Sequence, residues 1–128
     1  MKTIVVSSQF VGLHQYLDAP SNVGFLKHPH RHMFKVLVEL VVSHGARDLE
    51  FFTVKDVLDK IVNNIAGHQH LGTYDASLKA LVIRSSCEDM AEHIAESLAS
   101  KLDLYDRSRI KYVEVSEDGE NAGRYYPE

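Results

Sequence analysis

The segment that most constrains this chain is the one in which His30-Arg31-His32 leads directly into Met33-Phe34-Lys35-Val36-Leu37-Val38-Glu39-Leu40-Val41-Val42. An apolar run interrupted only by Lys35 and Glu39 reads as a long strand from Arg31 to Val42. Extended backbone sends successive side chains to opposite faces, so His30 and His32 share a face, roughly 6.6 Å apart at Cα level. At that spacing both rings can reach one ion about 2.0–2.1 Å from each nitrogen. A third ligand must then come from elsewhere, and His14 is the candidate, just past the first apolar-alternating segment.

That first segment, Thr3 to Phe10, sets Ile4, Val6, Ser8 and Phe10 against Val5, Ser7 and Gln9, the period-two pattern of a half-buried strand. Gly12 and the polar stretch from Gln15 to Pro29 read as a long loop, a length usually kept for function. Ser43 to Asp48 reads as a turn. Thr53 is the expected N-cap of a first helix, with Val54, Val57, Leu58, Ile61, Val62 and Ile65 at helical spacing and Gly67 just past its end. His68 to Asp75 reads as a polar loop and Leu78 to Arg84 as a third strand. Ser86 caps a second helix with Met90, Ile94, Ala95, Leu98 and Leu102 inward, and Asp103 to Ser108 is a turn. Arg109 to Ser116 alternates as a fourth strand.

The order is β-β-α-β-α-β, which implies an α+β fold with both helices on one face of an antiparallel or mixed sheet, expected here as a four-stranded antiparallel one. Residues 1–128 read as a single domain. The long strand Arg31 to Val42 is expected to leave an unpaired edge that a second subunit covers, hence a homo-oligomer.

Composition narrows the partners. The net charge is -4 and no basic stripe is present, which argues against nucleic acid. No apolar run approaches a membrane span, and the N-terminus turns polar too soon for a signal peptide. Cys87 is the sole cysteine, so a reducing, cytoplasmic setting is expected.

On spacing alone, His14 with His30 and His32 is a three-imidazole set that leaves one position open on a tetrahedral zinc. Histidines are also common at strand starts, so a solvated reading stands beside it. His68 and His70 in their loop, Glu88 in a first helical turn and Glu117 in an acidic run each have an equally plain surface reading. Cys87 is either a thiol activated by its helix N-terminus or a small buried residue at a helix start. No phosphate-binding glycine loop, nucleophile elbow or His-Glu-x-x-His occurs.

The order of these pieces carries more than any one of them. Phe10 to His14, then His30, His32, Phe34 and Val36, resembles the pattern of the 6-pyruvoyl-tetrahydropterin synthase and 6-carboxy-tetrahydropterin synthase (QueD type) family. Glu50-Phe51-x-x-Val54-Lys55 resembles its Asp-Phe-x-x-Leu-Lys. Gly67-His68-Gln69-His70-Leu71 is similar to its Leu-Asp-His-x-x-Leu-Asn. Ser86-Cys87-Glu88-x-x-Ala91 resembles its Pro-Thr-Ser-Glu-x-x-Ala, and Val115-Ser116-Glu117 its Val-x-Glu-Thr.

The resemblance implies the tunnelling fold, in which trimers close a barrel and stack as hexamers with active sites between subunits. It implies His14, His30 and His32 as ligands of Zn2+, His68 as the catalytic histidine, and Glu117 with Glu88 as substrate-binding carboxylates. The activity implied is a zinc-dependent lyase of pterin or 7-deazaguanine (queuosine) biosynthesis acting on dihydroneopterin triphosphate. The chain also departs from the pattern. Leu26 stands where the family keeps its catalytic cysteine, Gly67 where it keeps an Asp, Arg31 between the zinc histidines in place of Gly, and Gly72 in place of Asn. Lys27, His28 and His70 are the candidate replacement bases, and a zinc-bearing pterin- or purine-binding homologue without the elimination is the alternative.

Overall fold

The computed structural model describes residues 1–42, 49–65 and 71–128. The expected turn at 43–48, Gly67, His68 and His70 lie outside the described residues. Strand β1 (Lys2–His14) and strand β2 (His30–Val42) form one antiparallel ladder, in register from Lys2 opposite Val42 to His14 opposite His30. Helix α1 (Phe51–Asn63), strands β3 (Gly72–Asp75) and β4 (Ala80–Ile83), helix α2 (Cys87–Lys101) and strands β5 (Ile110–Glu117) and β6 (Asn121–Tyr125) follow. Short 3-10 turns occupy Ser21–Lys27 and Arg107–Arg109.

Among the described residues the sheet has six strands in the order β3-β4-β1-β2-β5-β6, which corrects the four-stranded expectation. Two of the additional pairings come from short hairpins whose polar sequences hide them. Residues Thr73 to Asp75, taken above as loop, pair with β4 because the Asp75 carboxylate accepts the N–H of Ser77 and Leu78, closing the turn. The C-terminal segment returns as β6 on β5. Of the antiparallel and mixed forms that the element order allowed, the sheet takes the mixed one, since β4 runs parallel to the end of β1 at Leu13 and His14. The long strand is also no edge. β2 pairs with β1 on one side and β5 on the other, and the two sheet edges belong to β3 and β6.

Period-two alternation sends Val6 and Ser8 of β1, Phe34, Val36, Val38 and Leu40 of β2, and Val113 and Val115 of β5 to one face. Against that face pack Val54, Leu58, Ile61 and Val62 of α1 and Met90, Ile94, Ala95 and Leu98 of α2. A register shift at Glu39/Leu40 lets Ile110 oppose Leu40 while Tyr112 opposes Glu39. That bulge changes the phase of β5, so Ile110 and Val113 are both buried and simple alternation from Ile110 fails.

Helix α2 is capped as expected, the Ser86 hydroxyl accepting from Asp89 N–H at 3.1 Å. Helix α1 is not. Its cap is Glu50, whose carboxylate accepts from Phe52 N–H and Thr53 N–H at 2.9 Å each, while Thr53 donates its own hydroxyl to Glu50. The longer carboxylate reaches two orphan amides where a threonine hydroxyl reaches one.

Candidate metal and ligand site

The core face does not stop at Phe34. β1 continues past Phe10 because Gly12 has no side chain to collide with its neighbours; a Cβ there would lie 3.0 Å from Ile83 Cδ1 and 3.4 Å from Phe34 Cε2. Two residues on, His14 ends β1 on the same face as Phe10, directly across from His30. The same alternation places His30 and His32 beyond Phe34 on β2, and Glu117 beyond Val115 on β5. Thus the ends of three neighbouring strands put three imidazoles and a carboxylate on one patch. Phe34 supports it from below, its ring edge-on to those of His14 and His32.

Hydrogen bonding decides which nitrogen of each ring faces inward. His14 Nε2 lies 2.8 Å from the Ser85 carbonyl oxygen, and His30 Nδ1 lies 2.9 Å from the His28 carbonyl oxygen. A carbonyl only accepts, so these nitrogens carry the protons and donate. His32 Nδ1 lies 2.6 Å from Asp118 Oδ2, again an acceptor. The lone pairs of the neutral rings are then on His14 Nδ1, His30 Nε2 and His32 Nε2. The first two face each other at 3.4 Å. Glu117 adds Oε1 at 3.6 Å from His14 Nδ1 and Oε2 at 3.5 Å from His32 Nε2.

The patch is therefore made of acceptors aimed at one another, an arrangement that a cation or added protons must reconcile. Added protons are disfavoured at His14: burial holds its imidazole below the ordinary value, outweighing the Ser85 carbonyl and Glu117, which act the other way. A separation of 3.4 Å is that of two nitrogens each about 2.1 Å from a tetrahedral zinc. Neutral imidazoles and a carboxylate also suit that metal, and each ring has the outer hydrogen-bond partner that metal-binding histidines use. Among the described residues no three of these side chains are yet drawn tightly enough together to form a closed metal cage.

Beside the patch opens a pocket of about 260 Å³ lined by His14, Tyr16, Leu26, Cys87, Glu88 and Glu117, among others. The loop after β1 builds its wall: Tyr16 N–H donates to the Leu26 carbonyl at 2.8 Å and Gln15 Nε2 to the Lys27 carbonyl at 2.8 Å, folding Leu26 back so that it lines the same pocket as His14. The opposite wall is the start of α2, which β6 approaches so closely that a Cβ on Gly123 would lie 2.7 Å from Glu88 N. Cys87 Sγ is 3.9 Å from Glu117 Oε1. Burial, then the Glu117 and Glu88 charges, push its thiol up to about 12, so it stays a protonated donor and not a thiolate.

Of the residues singled out in the sequence, His14, His30, His32 and Glu117 converge, and Glu88 lines the adjoining pocket. Lys27 and His28 are exposed, and what they bring to the patch is backbone: His28 supplies the carbonyl that orients His30. Asp118, Ser85 and Tyr16 were missed. Asp118 sits inside an acidic run that reads as solvated edge, and the Ser85 contribution is a main-chain oxygen that no sequence pattern announces.

Comparison with known proteins gives a consistent picture. A family model described as 6-pyruvoyl tetrahydropterin synthase matches residues 3–128. No curated protein matches the chain. Among solved structures, the 6-pyruvoyl tetrahydropterin synthase of Caenorhabditis elegans superposes with a TM-score of 0.65 at 14% identity, covering 99% of this chain and 96% of that one. An uncharacterized protein from Wolinella succinogenes superposes with a TM-score of 0.64 at 17% identity, covering 99% and 98%. At such identities the two structures speak for the fold.

Proposed function

The chain belongs to the 6-pyruvoyl tetrahydropterin synthase family, and from that premise we propose that it is a zinc-dependent pterin-processing lyase acting on dihydroneopterin triphosphate. The observation that supports the metal is that His14 Nδ1 faces His30 Nε2 at 3.4 Å and shares the Glu117 carboxylate with His32 Nε2, while the outer nitrogen of each ring meets an acceptor. His14 Nδ1, His30 Nε2 and His32 Nε2 would hold the ion. When bound, zinc supplies Lewis-acid polarisation of the hydroxyls and carbonyl on the pterin side chain.

The chain's own residues have separable tasks. The Glu117 carboxylate accepts N–H donors of a pterin ring lodged in the adjoining pocket, as the family pattern implies. Tyr16 and Leu26 line that pocket. Glu88 supplies a second carboxylate at its rim. Proton transfer falls to His68 or His70, or to Lys27 or His28, because Leu26 has no group that titrates and Cys87 holds its proton.

Assembly belongs to the same proposal. Among the described residues the sheet ends on two different strands, β3 and β6, so copies would join head to tail and close a ring, which fits a trimer or a stacked hexamer. A reducing cytoplasm suits the lone thiol of Cys87.

One observation favours a second reading. Leu26 sits in the pocket itself, at the position of the family's cysteine, so the ligand would meet methyl groups where the family presents a thiol. A zinc-bearing protein that binds a pterin or purine without the elimination follows from that. Incubation with dihydroneopterin triphosphate separates the two: triphosphate release with appearance of a pyruvoyl- or carboxy-tetrahydropterin supports the lyase. Binding abolished by Glu117→Ala with no release supports the binding protein. Metal analysis tests the shared premise, since full zinc content in His14→Ala and His32→Ala would overturn the ligand assignment.

A further inference from the structure

We infer that Asp118 is a positioning residue that locks His32 in the Nδ1–H tautomer and thereby aims its Nε2 lone pair at the three-histidine patch. This rests on the metal reading above for its consequence but not for its geometry.

Asp118 is tied to β2 three times. Its backbone N–H donates to the Met33 carbonyl at 2.8 Å, its Oδ1 accepts from Met33 N–H at 2.9 Å, and its Oδ2 lies 2.6 Å from His32 Nδ1. Its φ of 56° is left-handed, which turns the carboxylate back over β2 at the start of the β5–β6 hairpin. The two oxygens are thus committed to two different donors, and the pair that contacts Met33 fixes where the one that contacts His32 can be. Those contacts, Met33 N–H first and His32 next, also hold the Asp118 carboxyl below the usual carboxylate range.

The outer nitrogens of the other two rings are oriented by main-chain carbonyls, whereas that of His32 meets a carboxylate. A carboxylate on the outer nitrogen raises the donor strength of the inner one more than a neutral carbonyl does, and such outer partners typically change metal affinity about 10–100-fold. His32 would then be the strongest ligand of the three, set by a residue adjacent to Glu117. The hairpin that presents the ligand-facing carboxylate also orients one metal-facing ring.

The test uses full-length protein with nitrogen-15 labelled histidine, first metal-free and then titrated with zinc. Wild type is compared with Asp118→Gly, which keeps the left-handed turn without a carboxylate, and with Asp118→Asn, which offers one acceptor oxygen for two donors. His32 is identified by the signal lost in His32→Gln. In wild type His32 is expected almost wholly as Nδ1–H; in Asp118→Gly it becomes a mixture, and zinc Kd rises about 10–100-fold. Asp118→Asn is expected to fall between the two. His14 and His30 keep their tautomers throughout, whereas a general loss of structure would move all three.

A His32 tautomer that is Nε2–H in wild type, or unchanged in Asp118→Gly, overturns the inference. So does an unaltered zinc Kd in Asp118→Gly when wild type binds the metal. Should wild type bind no zinc, the metal reading fails, and the metal-free spectra still decide the role of Asp118.

Discussion

Phe34 and Glu117 face each other across the β2–β5 ladder as its last pair, one fully buried and the other reaching the histidine patch. The boundary between core and site is therefore one residue pair wide. Phe34 stacks on Phe10 with ring centroids 5.1 Å apart and meets the His14 and His32 rings edge-on at 5.8 and 5.9 Å. Phe34→Ala is expected to cost about 3–5 kcal/mol in urea denaturation. Phe34→Leu is expected to fold with a smaller loss, and to bind zinc more weakly because the rings lose the surface that sets their tilt.

At the start of α1, Glu50→Ala is expected to destabilise the protein by about 1 kcal/mol, the usual worth of a helix cap. Thr53→Ala is expected to cost less, because Thr53 donates to the cap and does not supply it. A larger loss at Thr53 than at Glu50 in denaturant titrations would restore the threonine cap that the sequence pattern favoured.

Cys87 gives a pH signature. Its thiol, pushed up to about 12 chiefly by burial and then by Glu117, should alkylate slowly with iodoacetamide in the native state from pH 7 to 9, while the unfolded chain labels readily. The sign for stability follows from the same shift: folding favours the protonated thiol, so this contribution is present below about pH 9 and is lost as pH rises towards about 12. Glu117→Gln removes one of the raising charges and should speed labelling. An equal rate in the two proteins would show that the carboxylate does not govern the thiol.

Gly123 is held close to α2, where an added Cβ would fall 2.7 Å from Glu88 N and 2.8 Å from its carboxylate. Backbone cannot yield as a flexible side chain does. Gly123→Ala is expected to cost about 1–3 kcal/mol, measured by thermal denaturation, and to weaken pterin binding by displacing the wall that carries Cys87 and Glu88. Unchanged melting and binding would mean that β6 is free to move away.

Leu26→Cys returns a thiol to the pocket beside His14 and Glu117. Under the lyase reading turnover of dihydroneopterin triphosphate, followed as triphosphate release, is expected to rise by up to about 10²–10⁴-fold, the scale of one general acid–base group. No gain would place the proton transfer with other residues.

What the sequence determined by itself is whatever a local period encodes. Alternation marks β1, β2 and β5, helical spacing marks both helices, and the same alternation puts His14, His30, His32 and Glu117 on one face once the strands are paired. Those readings survive because side-chain direction is set by the residue's own backbone. The position of β2 at the centre of the sheet, the β3 and β6 hairpins and the phase change at Glu39/Leu40 were left to the tertiary structure. So were the partners that orient the rings: His14 meets the Ser85 carbonyl 71 residues away, and His32 meets Asp118 86 residues away. Such contacts depend on chain closure over long separations and partly on main-chain oxygens, which have no side-chain signature to be read.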